Sequence, residues 1–385
     1  MTQIHQSGDA DPPEAPCLLV IYGHAIDCEP MITLIGATGI TGRLVAEQLK
    51  SAGCKVRIAA RNQVKLKLLA SQLGDTFEYV SADVTNPASL RSALESTSIA
   101  INCAGPFTDL GEPVVRECAR GGIHYIDTTG EQGFIRTVYE GYGDDARKNK
   151  VALVPACAVE YALADAAAAM MADQVTACNE IQVAYCVHSM HASRGTQKSA
   201  IRALTMPGFW REDDELKAIQ PMQTHREFDI PGEGKRLGYC FPGGEVFMLP
   251  LHMKASSIST YMILPLPPSL VATISTVAIN LMRSPLGNIL PALIDVSGPG
   301  PTRTQRHTGT FEIVCNGIYE NTKGAVAVRA ADPYGLTAVI AAGVARHIEH
   351  HGSAAVGPVA PSMVAGYHLI RELTERAGTT WTQYA

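Results

Sequence analysis

The sequence predicts an α/β protein: a Rossmann-type parallel-sheet domain, then a second α+β domain with a mixed, largely antiparallel sheet. Three observations predict it. From Met31 onward, short apolar runs alternate with helical segments of about ten to fifteen residues, the rhythm of βαβ units. The first unit carries Gly36, Gly39 and Gly42 at the spacing G-x-x-G-x-x-G, between a strand and a helix. After Cys157 the stretches become longer and alternate apolar with polar residues, as antiparallel strands do.

The elements follow in order. "MITLIG" reads as a strand and "TGRLVAEQLKSAG" as a helix that stops at Gly53. "KVRIAAR" is the second strand, "QVKLKLLASQLG" the next helix and "FEYVSAD" the third strand. "TNPASLRSALEST" is a helix with Thr85 or Asn86 as its cap and Pro87 at its first position. "SIAINCAG" is the fourth strand, "GEPVVRECARGG" a helix and "HYIDTTG" the fifth strand. A polar helical segment ending near Lys150 leads to "VALVPAC", the sixth.

Beyond Cys157, "YALADAAAAMMADQV" is a helix and "EIQVAYCVHS" a strand. "GYCFPGGEVFMLP" is a hairpin candidate turned by its Gly-Gly pair. "GTFEIVCNGIYENTKGAVAVRAA" is a second, turning near Asn321 to Gly324, and two helices end the chain. The expected division is a tail over 1–30, a dinucleotide-binding domain over 31–157, a substrate or oligomerisation domain over 158–330, and C-terminal helices over 331–385 that return to the first domain. "SGDADPPEAP" has the composition of a disordered segment, and Met31 abuts the first strand, so 1–30 reads as an extension and Met31 as a natural start.

Composition narrows the function. The chain has 385 residues, 46% apolar and 18% charged, enough for roughly two packed domains. A net charge of −6 with no basic stripe disfavours a nucleic-acid partner. Ten cysteines without a CxxC pair read as reduced, buried thiols of a cytoplasmic protein. Ser259 to Met282 is apolar but split by Pro265, Pro267 and Pro268, which leaves too short a run to span a bilayer. The apolar helix around 269–294 reads as a pocket wall or an oligomer interface.

The glycine turn is the strongest motif. Gly36 permits a tight turn, Gly39 lets backbone approach a pyrophosphate, and Gly42 lets the helix pack closely. Thr38 and Thr41 add hydroxyls, and Ile40 completes the turn; free N–H groups at the helix start suit phosphate. The second strand ends in Arg61, followed by Asn62, where an NAD enzyme usually has an acid. A guanidinium there suits the 2′-phosphate of NADP(H), unless Arg61 is an ordinary solvated charge. Asp83 and Val84 end the third strand, placed for adenine, with Asp83 equally able to cap a helix. Cys103, Ala104, Gly105 and Pro106 end the fourth, where small residues let backbone lie along the cofactor, and Phe107 follows toward the substrate. Thr128 and Glu131 end the fifth strand, for nicotinamide and substrate respectively or as helix caps.

"GATGITGRLVAEQL", "AARN", "NCAGPFTDLGEPVVRECARGGIHYIDTTGE", "SRGTQKSA" and "DPYGLTAV" together resemble the saccharopine dehydrogenase-like oxidoreductases, in the branch with the trans-acting enoyl reductases. The resemblance runs from about Met31 to the C-terminus. It implies a dinucleotide-binding domain, an inserted second domain for substrate and subunit contact, and NADPH-dependent reduction. Where family members often carry a "GFDSVPSD"-like turn after the sixth strand, this chain has "ACAVEYALAD", which leaves the substrate class open.

Hydride transfer usually needs a proton donor as well. Tyr161, after the sixth strand, is one candidate, with packing at a helix start as its ordinary role. His188 and His191 are two others, against the reading of structural histidines. Ser193, Gly195 and Thr196 open a helix that either presents N–H donors to an acyl oxygen or is simply capped. Cys157 reads as a core residue, "HIEHH" as a solvated helix end rather than a metal site, and the Tyr319–Lys323 spacing as chance, so no metal is expected. The expected activity is an NADPH-dependent reduction of a C=C or C=N bond in a moderately apolar acyl or amino-acid-derived small molecule, by a homodimer. The other class of reading is a non-catalytic NADP(H)-binding sensor or scaffold.

Overall fold

The computed structural model describes residues 31–173, 178–284, 300–319 and 322–384. The predicted tail and the last part of the 269–294 helix lie outside them, as do the side chains of Tyr319 and Lys323. The first half is a run of βαβ units. It comprises β1 (Met31–Ile35), α1 (Ile40–Ser51), β2 (Val56–Ala60), α2 (Gln63–Leu73), β3 (Phe77–Ser81), α3 (Pro87–Ala93), β4 (Thr97–Asn102), α4 (Phe107–Gly121), β5 (His124–Asp127), α5 (Gln132–Gly141), α6 (Gly143–Lys148) and β6 (Ala152–Val154). With β15 (Gly357–Pro358), these strands form a seven-stranded sheet in the order β15-β6-β5-β4-β1-β2-β3, parallel throughout.

Such a sheet must be covered on both faces, because its crossovers lay helices on each. Ile32, Leu34, Ile58 and Ile101 pack with Val45 and Leu49 of α1 in one buried cluster. Ala59, Ala100, Tyr125 and Leu153 face the other way and pack with Val114 and Val115 of α4.

The chain then enters α7 (Val159–Ala172), β7 (Glu180–Ser189), α8 (Arg194–Thr205), β8 (Gly208–Glu212), β9 (Glu215–Ile219), β10 (His225–Ile230), β11 (Gly234–Cys240), α9 (Glu245–Met248), β12 (Ser257–Ile263), α10 (Pro268–Arg283), α11 (Arg303–His307), β13 (Thr310–Tyr319) and β14 (Thr322–Ala331). It ends in α12 (Pro333–His351), β15, α13 (Tyr367–Arg376) and β16 (Thr380–Tyr384). The second sheet has nine strands, ordered β10-β11-β12-β7-β13-β14-β16, with β8 pairing β12 and β9. Among the described residues, only β7 and β12 run parallel in it.

The structure corrects the sequence reading in three places. Gly243-Gly244 turns no hairpin but opens the short helix α9. Both glycines serve close packing: a Cβ at Gly243 would lie 2.8 Å from Thr260 Cγ2, and one at Gly244 2.6 Å from Ile135 Cδ1. The hairpins in this region are β8–β9 and β10–β11. The first turns on Asp213 and Asp214, both at positive φ (49° and 65°), as a two-residue turn between twisted strands demands. The predicted β13–β14 hairpin forms, but Thr322–Gly324 belong to its second strand. Two C-terminal strands also join the two predicted helices; β15 extends the first sheet and β16 the second.

α7 packs beneath the second sheet and against the C-terminal helices. Eleven of its residues are buried, and Ala162, Ala166 and Ala167 leave room for neighbours on all sides. Its fully buried Asp165 is bonded by His252 Nε2 at 2.7 Å and by the Ser362 amide at 2.7 Å. His252→Ala removes one partner from a fully buried charge, and is expected to lower unfolding free energy by about 3 kcal/mol. Equilibrium urea unfolding checks this, and a loss near zero would show that Asp165 does not depend on the pair.

Candidate dinucleotide and substrate site

The carboxyl ends of the first sheet's strands lie along one edge, where parallel α/β sheets hold their ligands. Gly36 leaves β1 at φ +77°, and a Cβ there would fall 2.7 Å from Ala104 N. Glycine therefore allows both the turn and the close approach of the β4 exit. A Cβ at Gly42 would lie 2.4 Å from the Gly36 carbonyl oxygen, so the first turn of α1 is pressed onto the loop. Gly39 differs: it is exposed, and a Cβ would meet only the Gly36 oxygen, at 3.3 Å. α1 starts from Gly39 with no side-chain cap. Thr38, Ile40 and Thr41 surround it half-buried. A bare glycine loop at an uncapped helix start fits a diphosphate.

Arg61 stands exposed immediately after β2. Asn62 Oδ1 accepts the Lys65 amide at 2.9 Å and so caps α2. Asp83 Oδ1 accepts from the hydroxyl and amide of Thr85 at 2.7 and 2.9 Å. Those bonds hold its carboxyl below the ordinary range, with Arg61 adding a smaller pull. Val84 is buried behind it. Along the β4 exit, Cys103, Ala104 and Pro106 are half-buried and Gly105 is exposed. Burial pushes the Cys103 thiol up to about 12, and burial and Asp127 raise that of Cys157 further, which makes both poor nucleophiles.

A cavity of about 560 Å³ opens from this edge and runs between the two sheets. Thr41, Thr128, Gly130 and the start of α7 line one end. Tyr185 and Val187 of β7, Thr196 and Ala203 of α8, Phe241, Met262 and Ile274 line the rest. Its described lining includes no Lys, Arg or His.

The proposed substrate and proton-donor residues separate into two groups. Tyr161 and Thr196 line the cavity; His188, His191, Ser193, Gly195, Phe107 and Glu131 do not. His188 misses it because side chains alternate along β7. Tyr185 and Val187 face the cavity, while the His188 ring lies 3.3 Å from Glu233 and 4.0 Å from Cys186 Sγ. His191 is exposed in the loop beyond. Ser193 Oγ accepts the Thr196 amide at 3.2 Å and caps α8. Phe107 is buried against Phe134, with ring centroids 5.8 Å apart.

Glu131 is a joint between the halves. It accepts from the Phe107 and Thr108 amides at 2.9 and 3.0 Å, from the Thr108 hydroxyl, from Ser199 Oγ at 3.0 Å and from Arg202 Nη1 at 3.3 Å. Tyr161 is buried, and its hydroxyl donates to the Gly130 carbonyl at 3.2 Å. Burial, then Glu245 and Glu160, holds that phenol well above its usual pKa.

Sequence reasoning missed Tyr185, Glu245, Glu160 and Tyr334. Tyr334 lines the cavity, takes the Ser193 amide at 2.7 Å and lies 2.9 Å from Thr196 Oγ1. Glu160 lines it too, its carboxyl raised by burial. The Tyr185 hydroxyl donates to Oε1 of the fully buried Glu245, whose Oε2 has no partner. The alternation of "EIQVAYCVHS" was the available signal for Tyr185; nothing local marked Glu245.

Burial pushes the Glu245 carboxyl up to about 8. Between its unfolded value near 4.5 and about 8, the unfolded chain has released this proton while the folded chain keeps it, so stability falls as pH rises. Glu245→Gln removes that loss. Its melting temperature is expected to fall less than the native protein's between about pH 5 and about pH 8; parallel thermal scans that show equal slopes would refute the raised carboxyl.

The glycine turn lies in a segment that is similar to known proteins. The saccharopine dehydrogenase NADP binding domain matches residues 32–185. A trans-acting enoyl reductase of Mycobacterium tuberculosis is 33% identical over 131 residues, covering 33% of this chain and 31% of that protein. One from Mycobacterium ulcerans is 31% identical over 131 residues, again covering 33% of this chain and 31% of that protein. The match thus spans about a third of the length of these curated relatives. The apo saccharopine dehydrogenase (L-Glu forming) of Saccharomyces cerevisiae shares the fold, with a TM-score of 0.60 and 13% identity over 92% of this chain and all of that one. The glycine turn and the residues packed around it thus lie in a segment that matches the saccharopine dehydrogenase NADP binding domain, which supports NADP(H) as the cofactor, and about a third of the chain is similar to the trans-acting enoyl reductases.

Proposed function

We propose that the protein is an NADPH-dependent reductase acting on the C=C bond of an apolar acyl substrate, with the C=N bond of an apolar imine as the other acceptor. The carrying observation is the cavity: it starts at the dinucleotide edge, and its described lining is mostly apolar, with Glu160 and Glu312 as its carboxylates and no Lys, Arg or His. An amino-acid carboxylate would find no positive partner there, whereas an acyl chain would bury against Ala203, Phe241, Met262 and Ile274. The printed names of the relatives point to the same bond type, in proteins about three times the length of the matched segment.

Bound NADPH supplies the hydride. The chain's residues do the rest. Gly39 and the start of α1 would hold the diphosphate, Arg61 would pair with the 2′-phosphate, Asp83 and Val84 would serve the adenine, and Thr128 with the Cys103–Pro106 turn would serve the nicotinamide. The apolar walls exclude water from the reacting carbon. We extend the reading to a cytoplasmic homodimer. Leu270, Val277 and Leu281 form an exposed apolar stripe on α10 that suits contact with a second copy.

Two experiments test this. In a screen of NADPH oxidation over enoyl thioesters, cyclic imines and keto acids, medium- to long-chain enoyl thioesters are expected to react fastest, and Ala203→Phe to shift the preference to shorter chains. NADPH binding without turnover of any substrate would favour a sensor instead. Arg61→Ala is expected to weaken NADPH on the order of tenfold or more while leaving NADH nearly unchanged, by fluorescence titration. Equal losses would remove Arg61 from the 2′-phosphate.

A further inference from the structure

Tyr185 sits on the cavity wall between two rings, at 6.5 Å from Tyr161 and 6.4 Å from Phe241, both edge-on. These contacts fix its orientation. Its hydroxyl is bonded to Glu245 on the side away from the cavity. Glu245 is fully buried, and its second oxygen has no partner. A carboxylate in that state would be desolvated without compensation; a neutral acid is the form such a site stabilises. Among the described residues, the groups that face it do not offer a counter-charge. α7 presents Glu160, Tyr161 and Asp165, β7 presents Tyr185, β13 presents Cys315, and β12 presents Thr260. From α5, Gln132 bonds the Gly243 carbonyl.

We propose that Tyr185 is the proton donor of the reductive step and that Glu245, held as a neutral acid behind it, is the positioning and recharging residue. This rests on the reductase reading. Because both groups carry a hydrogen, their bond can run either way: when Glu245 donates to the phenol oxygen, the phenol hydrogen is free to face the cavity. Hydride addition at the carbon β to the acyl carbonyl breaks the C=C π bond and leaves its electron pair on the α-carbon and carbonyl oxygen. The Tyr185 O–H bond then breaks and its proton joins the α-carbon. The phenolate takes the Glu245 proton across their hydrogen bond, and the carboxylate is recharged by a proton from water that enters as the saturated product leaves. The balance is one hydride from NADPH and one proton from solvent per C=C bond reduced. Tyr161, by contrast, has its hydroxyl committed to the Gly130 carbonyl.

The test uses the full chain and the enoyl thioester that the native protein turns over fastest. Tyr185→Phe is expected to lower kcat at least tenfold, with KM and NADPH affinity unchanged. Native kcat is expected to fall as pH rises past about 8, and Glu245→Gln to lack that limb. Infrared spectra of the resting proteins give a readout apart from turnover: a protonated-carboxyl C=O band at neutral pH, absent from Glu245→Gln. Should Glu245→Gln not fold, Tyr185→Phe and the native pH profile decide. A Tyr185→Phe variant with native kcat, or a native protein without the carboxyl band, overturns the assignment while leaving the reductase reading intact. A native protein that reduces nothing in the screen overturns both.

Discussion

The burial of α7 is the constraint on which the rest depends. A helix apolar on all sides can exist only where protein covers it completely. Its small side chains let the second sheet and the C-terminal helices close on it from different directions. It follows the short strand β6 of the first sheet, so the residues at its start, Ala158 to Tyr161, emerge at the ligand edge. Its middle carries Asp165, tied to His252 from the second region and to Ser362 near the C-terminus. Packing and position are thus set by one element: the helix buried beneath the second sheet also carries the residues at one end of the cavity.

Buried polar joints fix the register between the halves. Gln132, on α5, donates to the carbonyls of Phe209 and Gly243 at 2.9 and 2.7 Å and accepts the Phe209 amide at 2.9 Å. Glu131, one residue earlier, gathers donors from the start of α4 and from α8. Hydrophobic contact alone would let the two parts slide; groups that must all be satisfied select one arrangement. The same economy explains why Glu131 is unavailable to a substrate, although it stands at the end of a strand where ligands usually bind.

Most of the first sheet was legible because its signals are local. Strand, glycine turn and helix follow one another within twenty residues, and each glycine has its own steric reason: positive φ at Gly36, bare backbone at Gly39, close packing at Gly42. The second sheet was legible only in outline. Gly243-Gly244 looked like a turn, but glycine also serves where a neighbour stands too close, and sequence does not separate the two uses. The Asp213-Asp214 turn went unread because aspartate adopts positive φ without advertising it as strongly as glycine does.

By itself, the sequence determined the dinucleotide turn, the strand–helix rhythm and the basic residue after the second strand. These depend on neighbours in the chain, so periodicity and steric rules reach them. Tertiary structure alone decided which side chains share the cavity. His188 and Tyr185 lie three residues apart on one strand, yet alternation puts them on opposite faces, and only the sheet's packing says which face is the cavity's. Glu245 lies sixty residues beyond Tyr185; its carboxyl acquires its chemistry from burial beside that phenol and near Glu160 and Asp165, an environment made of residues that meet only when the chain is folded.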